Sequence, residues 1–269
     1  MPGAVANARM YSATPAVKAD WQELLRWIVA RADLDWEVID HEAPAPLAAL
    51  WARGDLGLAM MCGLPFSLSE PRPTLVAAPI PSPARYSGRP IYFTDIVVRA
   101  DAPYRSLEDT FGGVAGYTLA DSLSGGVAFA DHLRAYRTPQ RPRLYRESIG
   151  NLIHPRGVIE ALSKGRIDVG PLDSYYHDLL RRHDPAFASQ VRTLASTQPL
   201  PIPPWIATKA MSADELRRLR EALTAAAAEP SIAPLMERLL LQGFAFPPAA
   251  DYQPLAAMPS RLATSFEEL

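Results

Sequence analysis

The stretch that decides the fold reads Gly116-Tyr117-Thr118-Leu119-Ala120-Asp121-Ser122-Leu123-Ser124-Gly125-Gly126. A short apolar strand ends here in a hydroxyl-rich turn, and the apolar spacing after it predicts a helix over residues 127–136. Such a turn directs backbone N–H groups and the positive end of a helix dipole outward from the carboxyl end of a strand. Two serine hydroxyls add donors, which suits an anion or another acceptor-rich ligand. Serine and aspartate are also the usual N-caps, so helix capping alone is the alternative interpretation.

Length and composition exclude several classes of protein. The 269 residues are enough for a large core and for two lobes. A net charge of −2 argues against a nucleic-acid partner, because a phosphate backbone calls for a basic face. One cysteine excludes an internal disulfide. No apolar run approaches the roughly 20 residues that cross a bilayer, and no signal peptide is visible, so we expect a cytoplasmic protein or a leader missing from this sequence.

Strands and helices alternate along the chain, which predicts an α/β fold. Thr14-Pro15 is typical of a helix start, and Ser212 and Glu215 predict a capping box at another. The pattern restarts near residues 95–101, and the prolines of 197–204 fit neither a helix nor a central strand. These two crossings predict a discontinuous first lobe, residues 1–98 plus 203–269, and a second lobe, residues 99–202. We expect the ligand cleft between the lobes and one more surface helix in the tail from 252 to 269.

Three segments of the second lobe carry a family resemblance. They are Asp121-Ser122-Leu123-Ser124-Gly125-Gly126, His154-Pro155-Arg156-Gly157-Val158-Ile159-Glu160-Ala161-Leu162 and Gly165-Arg166-Ile167-Asp168-Val169-Gly170-Pro171-Leu172-Asp173-Ser174. In order and spacing they resemble the substrate-binding proteins of phosphonate and phosphite ABC transporters. That family usually shows a Ser-Thr-Ser-Gly turn, a Gly-Ser-His-Glu-Ala helix start and a strand that ends in Asp-Ser. The resemblance covers about residues 90–210, and more loosely the first 90.

The resemblance implies a fold and a function. The fold is a two-lobe type II periplasmic-binding-protein fold, each lobe a mixed sheet flanked by helices, joined by two crossing strands. The function is capture of a small oxyanion, such as a phosphonate, phosphite or phosphate ester, in the inter-lobe cleft for ABC-transporter uptake. The implied compartment is the periplasm and the implied partner is a transporter permease. We expect a monomer that needs no cofactor and no metal.

Motif positions imply a set of ligand-binding residues: Tyr92, Ser122, Leu123, Ser124, Gly125, His154 and Asp173. By the resemblance, Ser122 and Ser124 bind the oxyanion together with the helix start, and His154 donates to the same group. Asp173 meets an amine or hydroxyl of the ligand, and Tyr92 is the aromatic residue of the first crossing strand. Residues 63–66 fit the binding loop of the first lobe only loosely. The alternatives are that His154 merely starts a helix, Asp173 merely caps one, and Tyr92 belongs to the core.

Two departures from the family pattern bear on the ligand. Leu123 occupies the middle of the hydroxyl turn, which removes one oxygen donor. Leu152-Ile153 stands where the family has Gly-Ser, which makes that wall more apolar. These departures leave open a ligand of different or lower charge.

The alternative function is a cytoplasmic small-molecule sensor or an enzyme on the same fold. Ser122 or Ser124, His154 and Asp173 could serve as nucleophile, base and orienting acid. However, the chain has no Gly-x-Ser-x-Gly elbow and no Gly-x-x-x-x-Gly-Lys phosphate loop. Its five histidines include no pair four residues apart around a glutamate, which disfavours a zinc hydrolase. We therefore expect no catalytic residues.

Overall fold

The chain divides into two units by its internal contacts. A computed structural model describes residues 3–42, 45–262 and 265–269. Unit 1 comprises Met1–Ile91 and Pro201–Gln253, and unit 2 comprises Tyr92–Leu200 and Pro254–Leu269. The chain therefore crosses from one unit to the other at three points, and the first two lie earlier than the predicted boundaries at 98/99 and 202/203.

The strands of the described residues are numbered in chain order. They are β1 (Val5–Asn7), β2 (Glu37–Val38), β3 (Leu56–Met60), β4 (Thr74–Pro81), β5 (Ile91–Tyr92), β6 (Thr94–Arg99), β7 (Val114–Gly116), β8 (Glu147–Ile149), β9 (Gly170–Asp173), β10 (Val191–Ser196), β11 (Leu200–Pro201), β12 (Trp205–Ala207) and β13 (Leu241–Ala245). The first two unit boundaries fall inside β5 and β11, which pair with each other.

The α-helices of the described residues follow the same numbering. They are α1 (Pro15–Arg31), α2 (Leu47–Trp51), α3 (Gly63–Leu68), α4 (Ala128–Leu133), α5 (Pro155–Ser163), α6 (Ser174–His183), α7 (Pro185–Ala188), α8 (Ala213–Ala226) and α9 (Ala233–Arg238). Within the described ranges, no helix is both long enough and apolar enough to span a bilayer.

Unit 1 is built on a six-stranded sheet in the order β13-β4-β12-β3-β1-β2. β1 runs parallel to β2 and β3, and the other neighbours are antiparallel, so the sheet is mixed. The Thr14 hydroxyl accepts the Val17 N–H at 3.2 Å and starts α1, as predicted. The apolar residues of α1 recur every three or four positions and form one stripe. All four residues of this stripe are fully buried: Val17, Trp21, Leu24 and Ile28.

The segment 63–66, predicted as a loop after β3, is instead the first part of α3. The fully buried Phe66 ring packs edge-on against Tyr252, with centroids 5.2 Å apart. Because Phe66 and Tyr252 are far apart in sequence, the residues around 63–66 gave no indication that this segment forms a helix packed against Tyr252.

Unit 2 contains an antiparallel sheet, β10-β6-β9, and a parallel pair, β7 and β8. A parallel bridge from Ala115 to Val169 connects β7 to the residue that precedes β9. Helices pack on these strands around a core that includes Ile96, Val98, Phe129, Leu133 and Val169. Each unit is thus a mixture of strand and helix, in agreement with the predicted α/β class.

The C-terminal tail departs from the prediction in both its structure and its unit. Its described part forms short 3-10 segments at Ala249–Ala257, Pro259–Arg261 and Phe266–Glu268 rather than one surface helix. Residues 254–269 belong to unit 2 and not to the predicted first lobe. The Phe266 ring lies 4.7 Å from that of Tyr117, and the buried Leu269 gives its carbonyl to the Tyr145 N–H. Proline at 254 and 259 disfavours a regular α-helix, and these long-range contacts fix where the tail docks.

The predicted capping box of α8 is confirmed. The Ser212 hydroxyl accepts the Glu215 N–H at 3.1 Å, and the Glu215 carboxylate accepts the Ser212 N–H at 2.8 Å. Glu215 also pairs with Lys209. The Lys209 hydrogen bond, followed by that of the Ser212 N–H, lowers the pKa of Glu215 to about 2.

We predict that this glutamate makes unit 1 acid-sensitive. Because its folded pKa lies below its ordinary value of 4.5, its stabilisation is present above about pH 4.5 and is lost as the pH falls toward 2. Urea unfolding at a series of pH values should show a flatter decline over this window for Glu215→Gln than for the parent. Glu221→Gln on the same helix is the control, and an equally flat decline there would contradict the assignment.

Candidate functional site

The three sequence motifs meet at one edge of unit 2. β7 pairs in parallel with β8, and the Gly116 N–H donates to Val169 O at 2.8 Å just before β9 begins. The carboxyl ends of parallel strands lie at the same edge, which is where open α/β sheets bind ligands. The hydroxyl turn follows β7, the loop with His154 follows β8, and Asp173 ends β9. The parallel register therefore brings together three segments that are separated in the chain.

The hydroxyl turn is part of a helix rather than a loop before one. A π-helical turn, Leu123–Val127, precedes α4, and a 3-10 turn, Arg134–Tyr136, follows it. The predicted helix over residues 127–136 thus begins four residues earlier than expected. The sequence pattern missed this start because two glycines disfavour a helix locally. Such π turns inside helices are frequent at functional sites.

Close packing against Thr118 explains why residue 125, the first of the two glycines, has no side chain. Thr118 N donates to Gly125 O at 2.8 Å, and a Cβ on Gly125 would lie only 1.8 Å from the Thr118 hydroxyl. Ser122 caps the turn, since its hydroxyl accepts the Gly125 N–H at 3.2 Å. The half-buried Ser122 and Ser124 side chains remain at the surface of this turn, whereas Leu123 is fully buried in the core. Leu123 can therefore offer a ligand only its backbone, and the Gly125 N–H is already engaged in the cap.

His154 caps α5 through a ring nitrogen. Its Nδ1 accepts the Gly157 N–H at 3.1 Å, and the side chain is exposed. A neutral imidazole that accepts at Nδ1 carries its proton on Nε2. The cap therefore selects the tautomer that presents Nε2–H as a donor at the edge.

Asp173 caps α6 and is mostly buried. Its Oδ1 accepts the N–H groups of Tyr175 and Tyr176, both at 3.0 Å. Beside it, burial raises the pKa of the Tyr176 hydroxyl to about 12, against the opposing effect of Arg156. The Tyr176 hydroxyl consequently stays protonated at neutral pH and can donate a hydrogen bond.

Tyr92 lies near the same edge, because the next residue, Phe93, contacts the start of α6. The Phe93 N–H donates to the Ser174 hydroxyl at 2.9 Å, and the Ser174 N–H donates to Phe93 O at 3.0 Å. Tyr92 itself is only 1% exposed. The structure thus places Tyr92 one residue from a contact with α6, with its ring inside the protein.

Sequence reasoning missed Thr94, the residue that ties the hydroxyl turn to the sheet. The Thr94 hydroxyl donates to Ser124 O at 3.0 Å, and its N–H donates to the Thr197 hydroxyl at 3.0 Å. Thr94 is 1% exposed and pairs with Asp173 across β6 and β9. A threonine inside an apolar strand is a signal of a buried partner, but the strand pattern does not say which one.

Sequence reasoning also missed a hydrogen-bonded group in unit 2, formed by Asp95, His177 and Ser196. His177 Nδ1 lies 3.0 Å from Asp95 Oδ2, and both side chains are fully buried. The Ser196 hydroxyl donates to the other oxygen of Asp95 at 2.8 Å. The serine thus bonds to the carboxylate and not to the imidazole, so the group anchors α6 to β6 rather than activating a nucleophile.

The three residues considered as a catalytic triad are each engaged in capping a different helix. Ser122, His154 and Asp173 each accept backbone N–H groups at a different helix start. The described part of the chain holds no group of three His, Cys, Asp or Glu side chains arranged for a metal ion.

We predict that Gly125 tolerates no side chain. Gly125→Ala should lower the free energy of unfolding by about 1–3 kcal/mol, because the added methyl group collides with Thr118 and overpacks the turn. Gly54→Ala is the matched control, since a Cβ at Gly54 would meet nothing within 4 Å. Urea unfolding measures both variants, and equal stabilities would contradict the tight approach of the turn to Thr118.

Comparison with known proteins gives one family and a group of similar folds. The model of the family described as "ABC transporter, phosphonate, periplasmic substrate-binding protein" matches residues 11–252. A binding-protein component of a phosphonate ABC transporter from Pseudomonas aeruginosa has a TM-score of 0.77 at 15% identity, covering 97% of this chain and 87% of that one. A search of curated proteins finds no significant relative.

Two further solved structures carry ligands. A protein from Prochlorococcus marinus in complex with methylphosphonate has a TM-score of 0.76 at 14% identity, covering 96% of this chain and 97% of that one. A protein from Xanthomonas citri bound to ATP has a TM-score of 0.67 at 22% identity, covering 97% of this chain and 98% of that one. These likenesses confirm the predicted fold class.

Proposed function

We propose that this chain, which belongs to the family of periplasmic substrate-binding proteins of phosphonate ABC transporters, binds a small molecule that carries a phosphonate, phosphite or phosphate-ester oxyanion. Family membership confirms the resemblance found in the three motifs and the predicted role in substrate binding. The observation that carries the proposal is the convergence of three capped helix starts at one edge of unit 2.

The chemistry of that edge supports an oxyanion. Helix starts offer oriented backbone N–H groups and a positive dipole end, so an acceptor binds there with little reorganisation. The Ser122 and Ser124 hydroxyls and His154 Nε2–H add side-chain donors. Methylphosphonate and ATP, bound by two proteins of similar fold, both carry tetrahedral phosphorus oxyanions.

Each predicted residue has a role in the proposal. Ser122, Ser124 and His154 donate to the oxyanion, and the backbone of residues 123–125 shapes the turn around it. Asp173 accepts from an amine or hydroxyl of the ligand while it caps α6. Tyr92, the aromatic residue of β5, completes the proposed ligand-binding set.

The family also indicates a compartment and a role in transport. Its members are periplasmic substrate-binding proteins of ABC transporters and not enzymes. For this chain we extend that setting to a periplasmic monomer that delivers its ligand to a transporter permease and does not turn it over.

We predict that an oxyanion ligand stabilises the protein. At about 1,000 times its dissociation constant a ligand adds on the order of 4 kcal/mol. For a chain of this size the melting temperature should rise by roughly 8–16 °C, at about 2–4 °C per kcal/mol. A thermal-shift panel of phosphonates, phosphite, phosphate, sulfonates and carboxylates measures this rise.

Two variants locate the binding site. Ser124→Ala and His154→Ala should each weaken the best ligand at least about tenfold, because each removes a charge-assisted hydrogen bond worth about 1.5–3 kcal/mol. Ser163→Ala, at the far end of α5, and His183→Ala, at the end of α6, are the controls. An unmoved melting temperature across the panel, or parental affinity in both site variants, would refute the proposal.

A further inference from the structure

Ile153 has a backbone conformation that its side chain disfavours. Its φ is +67°, and the His154 N–H donates to Leu152 O at 2.8 Å. This hydrogen bond spans two residues, so Ile153 is the central residue of a γ-turn in its rare, strained form. A β-branched residue at positive φ is a genuine outlier, and such outliers concentrate at ligand-binding sites.

The neighbouring residues hold the turn in place. Leu152, on one side of Ile153, is buried, and its N–H donates to Tyr117 O at 3.4 Å. Gly150 packs so closely on the Tyr117 ring that a Cβ there would lie 2.3 Å from it. The loop is therefore fixed on the segment that leads into the hydroxyl turn.

Burial does not explain the choice of isoleucine. The Ile153 side chain is 54% exposed, whereas most large apolar side chains of unit 2 are buried. A glycine or asparagine would relieve the backbone, and a polar residue would suit the exposure. Position 153 therefore has a branched apolar side chain although both its backbone conformation and its exposure disfavour one. It directly precedes His154, which presents Nε2–H.

We propose that Ile153 is a specificity residue that contacts the organic substituent of the ligand. The inference rests on the proposed function and deepens it. Ile153 directly precedes His154 and its side chain is exposed, so a carbon substituent of a group bound at His154 can gain apolar contact there. Inorganic phosphite and phosphate carry no such substituent and gain nothing from Ile153. In this proposal Ile153 favours a ligand with an alkyl substituent over a bare inorganic oxyanion.

Isothermal titration with phosphite and with methyl-, ethyl- and propylphosphonate tests this, at one pH where all four are dianions. For the parent, affinity should rise about fourfold for each added carbon, the equivalent of about 0.8 kcal/mol per buried methylene. Ile153→Asn accepts the positive φ but removes the apolar surface, and should flatten this series to within about twofold per carbon. Its affinity for phosphite should stay within about twofold of the parent.

Two further variants separate the ligand contact from the strain. Ile153→Gly should flatten the series in the same way while it raises the melting temperature of the ligand-free protein. Leu240→Gly, at φ +52° in unit 1, should also raise the melting temperature but leave the series unchanged.

The outcomes distinguish the two proposals. A series equally steep in the parent and both Ile153 variants, or an equal loss for phosphite and the alkylphosphonates, overturns the role of Ile153 and leaves the oxyanion site standing. Binding of no member of the series by the parent overturns the role of Ile153, and the proposed function falls with it when the thermal-shift panel also leaves the melting temperature unmoved.

Discussion

Two adjacent side chains of β6, Thr94 and Asp95, hold unit 2 together. Neighbouring residues of a strand point to opposite faces of its sheet. Thr94 accordingly bonds the hydroxyl turn on one side, and Asp95 bonds His177 of α6 on the other. All three side chains are almost fully buried, where an unpaired polar group is costly and a paired one fixes geometry. The positions of two helix starts therefore depend on one strand.

In the proposed function, the residues of the edge combine structural and binding roles. Ser122, His154 and Asp173 are helix caps. Taken alone, the sequence favours capping for Ser122 and Asp173 and leaves it open for His154. Capping is compatible with the proposed binding, because a cap orders the N-terminal turn of its helix. For His154 the cap does more, since it decides which ring nitrogen carries the proton. A ligand then meets groups already oriented by folding, which reduces the entropy lost on binding.

Local rules fail at few places, and the failures are informative. The glycine pair at residues 125–126 lies inside a helical turn, and Ile153 occupies a left-handed position. Both lie in the segments that follow β7 and β8. Sequences that specify a fold are consistent across levels, and departures are expected where function imposes a second requirement.

The sequence by itself determined the α/β alternation, the helix caps and the family. Caps at Thr14 and Ser212 were readable because donor and acceptor lie three residues apart. The three family motifs were readable because each is contiguous and their order is distinctive.

Only the tertiary structure decided which residues meet. The Thr94 to Ser124 bond spans 30 residues, and the Asp95 to His177 contact spans 82. The tail docks on unit 2 through Phe266 and Leu269. Periodicity tells which face of an element is buried but not what covers it, because the partner is selected by the packing of the whole chain. For the same reason, the strain and exposure of Ile153 became visible only once its neighbours had been placed.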